Sequence, residues 1–179
     1  MNIEIFWNHI YYSIYIFESK SQKAINNVVI NFAYILFKHQ FTKLGKTNKT
    51  VMKEGDVVLN DSKYGLSINI ANAIMLWLVA SGDITIFNVV KILVHQDFFS
   101  KIWSNIFYKI VFIVMIMAVI PLWVNYHFLW KKDKYLKYFK QFNRKDDSKE
   151  LIKWQVIKFV FIIFSILFLI MSILISDKN

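Results

Sequence analysis

The residues that could do chemistry in this chain are few, and their spacing matches no catalytic motif. No two histidines lie within one helical turn, as a zinc-binding HExxH pair requires, and the chain has no cysteine for a thiolate ligand or nucleophile. Ser165 and Ser172 have no evident basic partner that could activate a hydroxyl, since Lys158 lies near the edge of their apolar segment. Their heptad spacing is typical of helix packing. The sequence therefore predicts no enzymatic activity, no metal and no cofactor.

One histidine is a candidate for proton sensitivity. The four histidines are His9, His39, His95 and His127. His127 follows Asn125 and Tyr126 near the predicted cytoplasmic end of an apolar segment, where small changes of environment move a histidine pKa across physiological pH. An interfacial side chain without a titrating role is the alternative interpretation.

Small and amide side chains mark one face of the uncharged segment 64–82. They are Gly65, Asn69, Asn72 and Ala73. Asn69 and Asn72 are three residues apart and so share a helix face. In lipid, small residues allow helices to approach closely, and amides form hydrogen bonds between them. We predict that this face packs against another helix, and a polar permeation path is the alternative.

A basic stretch follows the second apolar segment. Its predicted contacts with anionic lipid headgroups are Lys131, Lys132, Lys134, Lys137, Lys140 and Arg144. Between them an apolar stripe recurs at helical spacing, formed by Tyr135, Leu136, Phe139 and Phe142. This pattern predicts a basic amphipathic helix on the membrane surface, where each cation contributes about 1 kcal/mol. A plain topology signal is the alternative, and no nucleic-acid-binding module is present.

The elements that must position these residues are membrane helices. Of the 179 residues, 56% are apolar and 18% aromatic, which is more than one water-surrounded core of this size can bury. Uncharged segments near the length of a bilayer core predict spans at about 64–82 and 110–130, with Pro121 kinking the second. A third span is predicted at about 156–176, where Lys158 lies one turn inside and is expected to extend toward the membrane surface. The predicted fold is an all-α membrane protein with three transmembrane helices plus amphipathic N-terminal and interfacial helices.

The remaining segments predict the domain organisation. Residues 1–40 form two amphipathic helices separated at 19–23, although one of them could instead be a fourth, unusually polar span. Residues 41–63 read as a polar linker. Residues 64–176 form the bundle, in which 84–95 is a separate amphipathic helix that lies in the outer interface or packs on the bundle.

Lysines predict the orientation of the bundle. Eight precede residue 64, three lie in 83–109, nine basic residues lie in the loop 131–153, and one lysine follows residue 176. Basic-rich and basic-poor segments thus alternate across the three spans. By the positive-inside rule the N-terminus is cytoplasmic and the C-terminus is outside.

The end of the second span carries a resemblance to a protein group. The run Asn125-Tyr-His-Phe-Leu-Trp-Lys-Lys-Asp-Lys-Tyr-Leu-Lys-Tyr-Phe resembles small uncharacterised multi-pass proteins of the bacterial inner membrane. In these proteins a span ends in an aromatic Asn-Tyr-Phe-like segment and continues into a basic helix. The resemblance covers about residues 64–145 and implies a bacterial inner-membrane location without implying a site.

These observations lead to an expected function. We expect a non-enzymatic integral membrane protein that packs its polar first span against a membrane-protein partner or a second copy, as an accessory, assembly or immunity-type subunit. A membrane-perturbing or pore-forming effector is the alternative, because aromatic amphipathic helices lie at both ends of the first span. A small transporter or channel component is a third interpretation. The bilayer and its anionic headgroups are the other expected partners, and nucleic acid is not.

Overall fold

The computed structural model describes residues 2–93, 104–144 and 148–176, and all regular secondary structure in these ranges is helical. The α-helices, in chain order, are α1 (Ile3–Leu36), α2 (Lys38–Lys43), α3 (Asn48–Asn60), α4 (Leu66–Leu93), α5 (Ile106–Val114), α6 (Ile120–Asn125), α7 (Lys134–Arg144) and α8 (Ser148–Ser176). His95 lies outside the described residues.

Backbone contacts divide the chain into two compact units. The first, called the span unit, comprises Met1–Ile10 together with Ile74–Asn179, and the second comprises Tyr11–Ala73. The boundaries fall inside α1 and α4, so each of these helices contributes residues to both units.

Three helical stretches among the described residues are long and apolar enough to cross a membrane, namely Leu66–Leu93, Ile106–Asn143 and Lys149–Ile175. Their most apolar windows have mean hydropathies of 1.8, 2.4 and 2.8. Only 28%, 6% and 11% of the residues in these windows are buried inside the protein, so most of the apolar surface is available to lipid or to another helix. The predicted all-α class and the predicted number of candidate spans are confirmed, and α1 is not one of the three.

The first candidate span is longer than the sequence predicted. Helix α4 continues without a break past Gly82 to Leu93, so the described part of 84–95 is not a separate helix. A single glycine costs only about 1 kcal/mol in a helix interior, and no proline follows it. The polar residues between Asp83 and Lys91 therefore belong to the span, although they lower its hydropathy.

The second candidate span departs from regular α geometry around Pro121. One π-helical turn, Met115–Val119, precedes α6 and another, Tyr126–Trp130, follows it. Proline lacks an amide hydrogen and its ring crowds the carbonyl one turn earlier. A widened π turn accommodates both effects, so the irregularity expected at Pro121 takes this form.

The basic helix forms as predicted, but not as an uninterrupted continuation of the second span. A kink at Lys131–Asp133 separates them, because the backbone leaves helical geometry there: Lys132 and Asp133 have φ values of 59° and 51°. Positive φ is unfavourable for residues with a side chain, because the Cβ approaches the following carbonyl oxygen. Helix α7 then runs in a new direction from Lys134.

The Tyr11–Ala73 unit is more helical than predicted. Helix α1 runs through 19–23, where no glycine or proline interrupts it, and therefore replaces the two predicted helices. The predicted linker, 41–63, contains the end of α2 and the whole of α3. Gly45 adopts a φ of 67° after α2, and the Thr47 hydroxyl caps α3 by accepting the Thr50 amide at 3.3 Å.

Candidate functional site

Contacts in the span unit align α4 with the second candidate span. The rings of Phe87 and Phe112 lie 4.9 Å apart, and Asn125 Nδ2 donates to the Met75 carbonyl at 3.3 Å. Residue numbers therefore rise along α4 as they fall along the second span. The two segments are therefore antiparallel neighbours.

The third candidate span lies parallel to α4. Asn88 Nδ2 donates to the Ser172 hydroxyl at 3.1 Å, and both residues are buried. Earlier along both helices a groove of 540 Å³ opens between them. Its α4 side is Gly82, Thr85 and Ile86, and its α8 side is formed by Val156, Ile157, Val160, Phe161, Phe164, Ser165 and Phe168. The groove is almost entirely apolar. The Asn88–Ser172 hydrogen bond lies farther along both helices, beyond Ile86 and Phe168.

Asp83 is the ionisable residue placed deepest in α4. The extension of α4 to Leu93 puts Asp83 near the midpoint of the helix, whereas the span predicted from the sequence, 64–82, ends just before this residue. Its Oδ2 atom is buried and has no hydrogen-bond partner among the described residues. A carboxylate at the centre of a span costs about 2.5–3.5 kcal/mol on insertion scales, so such residues are retained where they act.

Lys158 is a second ionisable residue inside a candidate span, with 2% of its surface exposed. Its Nζ donates to Gln155 Oε1 at 2.6 Å and lies 4.2 Å from the centre of the Phe159 ring. The sequence suggested that this lysine would extend toward the membrane surface. The ammonium instead lies against its own helix and is covered by protein, which satisfies it without bulk water.

Asn125 joins three segments of the span unit and is fully buried. Its Oδ1 accepts from Trp7 Nε1 at 3.1 Å, while its Nδ2 donates to the carbonyls of Met75 at 3.3 Å and Pro121 at 3.0 Å. The first turns of α1, the middle of α4 and α6 thus meet at one amide. This role of Asn125 was not predicted from the sequence, because Trp7 and Met75 are distant from it in the chain.

The start of α1 also binds α7 through charge. Lys134 Nζ lies 3.1 Å from Glu4 Oε2 and 3.3 Å from the His127 carbonyl, and the Tyr138 hydroxyl donates to Glu4 Oε1 at 3.2 Å. The lysine therefore caps the end of the second π turn and pairs with α1 at once. Lys134 was predicted to contact lipid headgroups, but its ammonium is engaged within the protein.

The apolar stripe of α7 faces protein. Tyr135 and Phe139 are buried, and the Phe142 ring stacks on His9 with centroids 3.6 Å apart. Trp154 covers the other side of His9 at 4.0 Å, nearly parallel to it. The stripe predicted for an interfacial helix is thus used for packing within the span unit.

The other predicted headgroup contacts lie outward. Lys131, Lys132, Lys137 and Lys140 are exposed. The Arg144 side chain lies outside the described part of the chain. His127 is also exposed, with its ring 5.9 Å from that of Trp123. The lysines and the histidine therefore share the region around the second π turn and α7.

The predicted helix-packing face on the first span is divided. Gly65 precedes α4 and is buried against its own backbone, because a Cβ there would lie 2.6 Å from Asp61 N and O. Asn72 accepts a hydrogen bond from the Tyr11 hydroxyl. Asn69 and Ala73 are exposed on α4, so they are the members of the predicted face that remain open to another helix.

Asn60 is the polar centre of the Tyr11–Ala73 unit. Its Oδ1 accepts from the hydroxyls of Ser19 at 2.8 Å and Ser67 at 3.1 Å, and its carbonyl accepts from Tyr15 at 2.9 Å. Its Nδ2 donates to Asp56 Oδ1 at 2.6 Å. One side chain at the end of α3 thereby connects α1, α3 and the start of α4, a role that no local sequence pattern indicates.

Two pKa values in this unit follow from the same contacts. Burial, followed by the nearby charge of Asp61, raises the pKa of Tyr15 above its ordinary value. The backbone amides of Tyr64 and Lys63 donate to Asp61 Oδ1, each at 2.7 Å, and hold the pKa of that carboxyl below its usual range. Asp61 therefore stays charged and fixes the turn into α4.

Within the residues that the structure describes, no three histidine, aspartate or glutamate side chains gather as a metal site would require. Neither a protein-family model, nor a curated protein, nor a solved structure matches the chain. The buried carboxylate oxygen of Asp83, the exposed Asn69–Ala73 face and the α4–α8 groove are therefore the features on which a function is argued.

Proposed function

We propose that this chain is a non-enzymatic integral membrane protein that acts by packing against a membrane partner, as an accessory, assembly or immunity-type subunit. The observation that carries the proposal is the buried, unpartnered Oδ2 of Asp83 near the midpoint of α4. In lipid such a carboxylate is stabilised by a donor from another helix. The Asp83 side chain is only partly buried, so a rotation that turns Oδ2 outward would let a lysine, arginine or amide of the partner donate to it.

Two further features support a partner. The three candidate spans bury little of their apolar windows in each other, so their outer faces can accept additional helices. Asn69 and Ala73 lie exposed on one face of α4, where an amide donor and a small side chain suit close helix contact. The alternation of lysines between segments supports a cytoplasmic N-terminus, and the resemblance described for residues 64–145 supports a bacterial inner membrane as the location.

The test compares Asp83→Leu with Asp83→Asn in the full chain, by cross-linking in native membranes and by particle mass in mild detergent. Wild type should be recovered with a partner or as an oligomer. Asp83→Leu should lose this association, while Asp83→Asn should retain part of it, because the amide still forms hydrogen bonds. Glu54→Gln, an equal charge change at an exposed site outside the candidate spans, is the matched control.

Stability separates this result from misfolding. Asp83→Leu removes an unpaired carboxylate from an apolar environment and should raise the thermal stability of the isolated chain. A more stable chain that no longer associates supports the proposal. A wild-type particle that is strictly monomeric in detergent, with nothing cross-linked to it in membranes, contradicts it.

A further inference from the structure

The groove between α4 and α8 has an open interior that the protein does not fill. Its α4 side includes Gly82, around which a Cβ would meet no atom within 4 Å. Its α8 side runs from Val156 to Phe168, a length of about 18 Å at the α-helical rise. One leaflet of the hydrocarbon core is about 15 Å deep, so the groove has the length of a lipid acyl chain.

Two lysines stand at the groove end nearest the start of α8. Lys149 and Lys153 are exposed and precede Val156 and Val160 by one heptad, which places them on the groove side of the helix. Side chains on a helix tilt toward its N-terminus, and the lysines therefore extend away from the apolar part of the groove. Their charge lies at the level where the phosphate of a lipid in the groove would be.

The shape and charge of the groove suit an acyl chain as the occupant. The groove is about 18 Å long and almost entirely apolar, and two exposed lysines lie at one end of it. We propose that the α4–α8 groove binds one acyl chain of an anionic phospholipid, whose headgroup pairs with Lys149 and Lys153. The inference rests on the membrane insertion included in the proposed function.

The test uses the full chain in nanodiscs of equal phosphatidylglycerol and phosphatidylcholine, followed by native mass spectrometry of the lipids that stay bound. Wild type should retain one phosphatidylglycerol in preference to phosphatidylcholine. The Lys149→Gln, Lys153→Gln double variant should weaken that preference roughly 5-fold for each lysine. Lys109→Gln, the same change at the far end of the second candidate span, should leave it intact.

Substitutions that fill the groove with a larger side chain test whether the groove binds an acyl chain. Gly82→Leu and, independently, Ser165→Leu should abolish retention of both lipids, while Val114→Leu, an addition at an exposed site away from the groove, should not. Equal retention of the two lipids by wild type, or full retention by both groove-filling variants, overturns the proposal. A dimer mass that disappears in Gly82→Leu would mean that a second copy fills the groove. Asp83→Leu should keep the lipid, which distinguishes this proposal from the partner proposal.

Discussion

Single amides carry much of the internal connectivity of this protein. Asn125 joins α1, α4 and α6, and Asn60 joins α1, α3 and α4. A buried amide offers both donors and acceptors, so one side chain can satisfy groups from several segments at once. Replacing such an amide leaves several hydrogen-bond partners unsatisfied at once. Substitutions at Asn60 and Asn125 should therefore destabilise the protein more than substitutions at neighbouring residues of similar size.

We predict that Asn60→Ala destabilises the Tyr11–Ala73 unit by about 2 kcal/mol, because the buried Ser67 hydroxyl and the Ser19 hydroxyl lose their acceptor. Thermal unfolding of the purified chain in detergent measures this change. Asn31→Ala, at an exposed position of α1, should shift the midpoint far less. Equal shifts in the two variants would show that the Asn60 network contributes no more than a surface contact.

At the scale of elements, the helix boundaries depend on a few backbone positions. Gly65 lies where the chain turns from α3 into α4, and a Cβ there would meet the backbone of Asp61 and Leu59 at 2.6–2.7 Å. Backbone atoms cannot move aside as a flexible side chain can. Gly82, by contrast, lies inside α4 with open space around it.

These two glycines should respond oppositely to the same substitution. Gly65→Ala should destabilise the protein, since the turn into α4 must open to admit a methyl group. Gly82→Ala should stabilise it by about 0.5–1 kcal/mol, the ordinary gain in a helix interior. Unfolding midpoints of the two variants against wild type provide the measurement, and a change of the same sign in both would contradict the assigned boundary of α4.

The presence of the helices was easier to predict from the sequence than the residues at which they end. The second and third spans are continuous apolar runs, and the basic helix repeats its aromatic residues at helical spacing. The end of α4 was missed because Asp83, Asn88 and Lys91 interrupt its hydropathy, although nothing there breaks a helix. The contacts of Asn60 and Asn125 were not predictable, since they join segments separated by 41 to 118 residues.

At the scale of the whole molecule, we predict the orientation of the chain in the membrane, with the N-terminus in the cytoplasm and the C-terminus outside. A reporter fused after Asn179 should be found on the outer side of the membrane, and one inserted near Lys145 in the cytoplasm. The arrangement follows from the excess of basic residues before residue 64 and in the loop 131–153. Periplasmic and cytoplasmic reporter activities give the answer, and reporters on the same side would exclude three crossings.

The two π turns also indicate where the chain can tolerate the insertion or deletion of a single residue. A π turn is equivalent to an α-helix carrying one additional residue, and each α-helical residue advances the helix by about 100°. Deleting one residue within Met115–Val119 would remove the additional residue and keep Phe112 and Asn125 facing their neighbours on α4, although Pro121 would still kink the helix there. The same deletion inside α5 would rotate one flank away from the bundle. Single-residue length variation among descendants of this chain should therefore concentrate at the π turns.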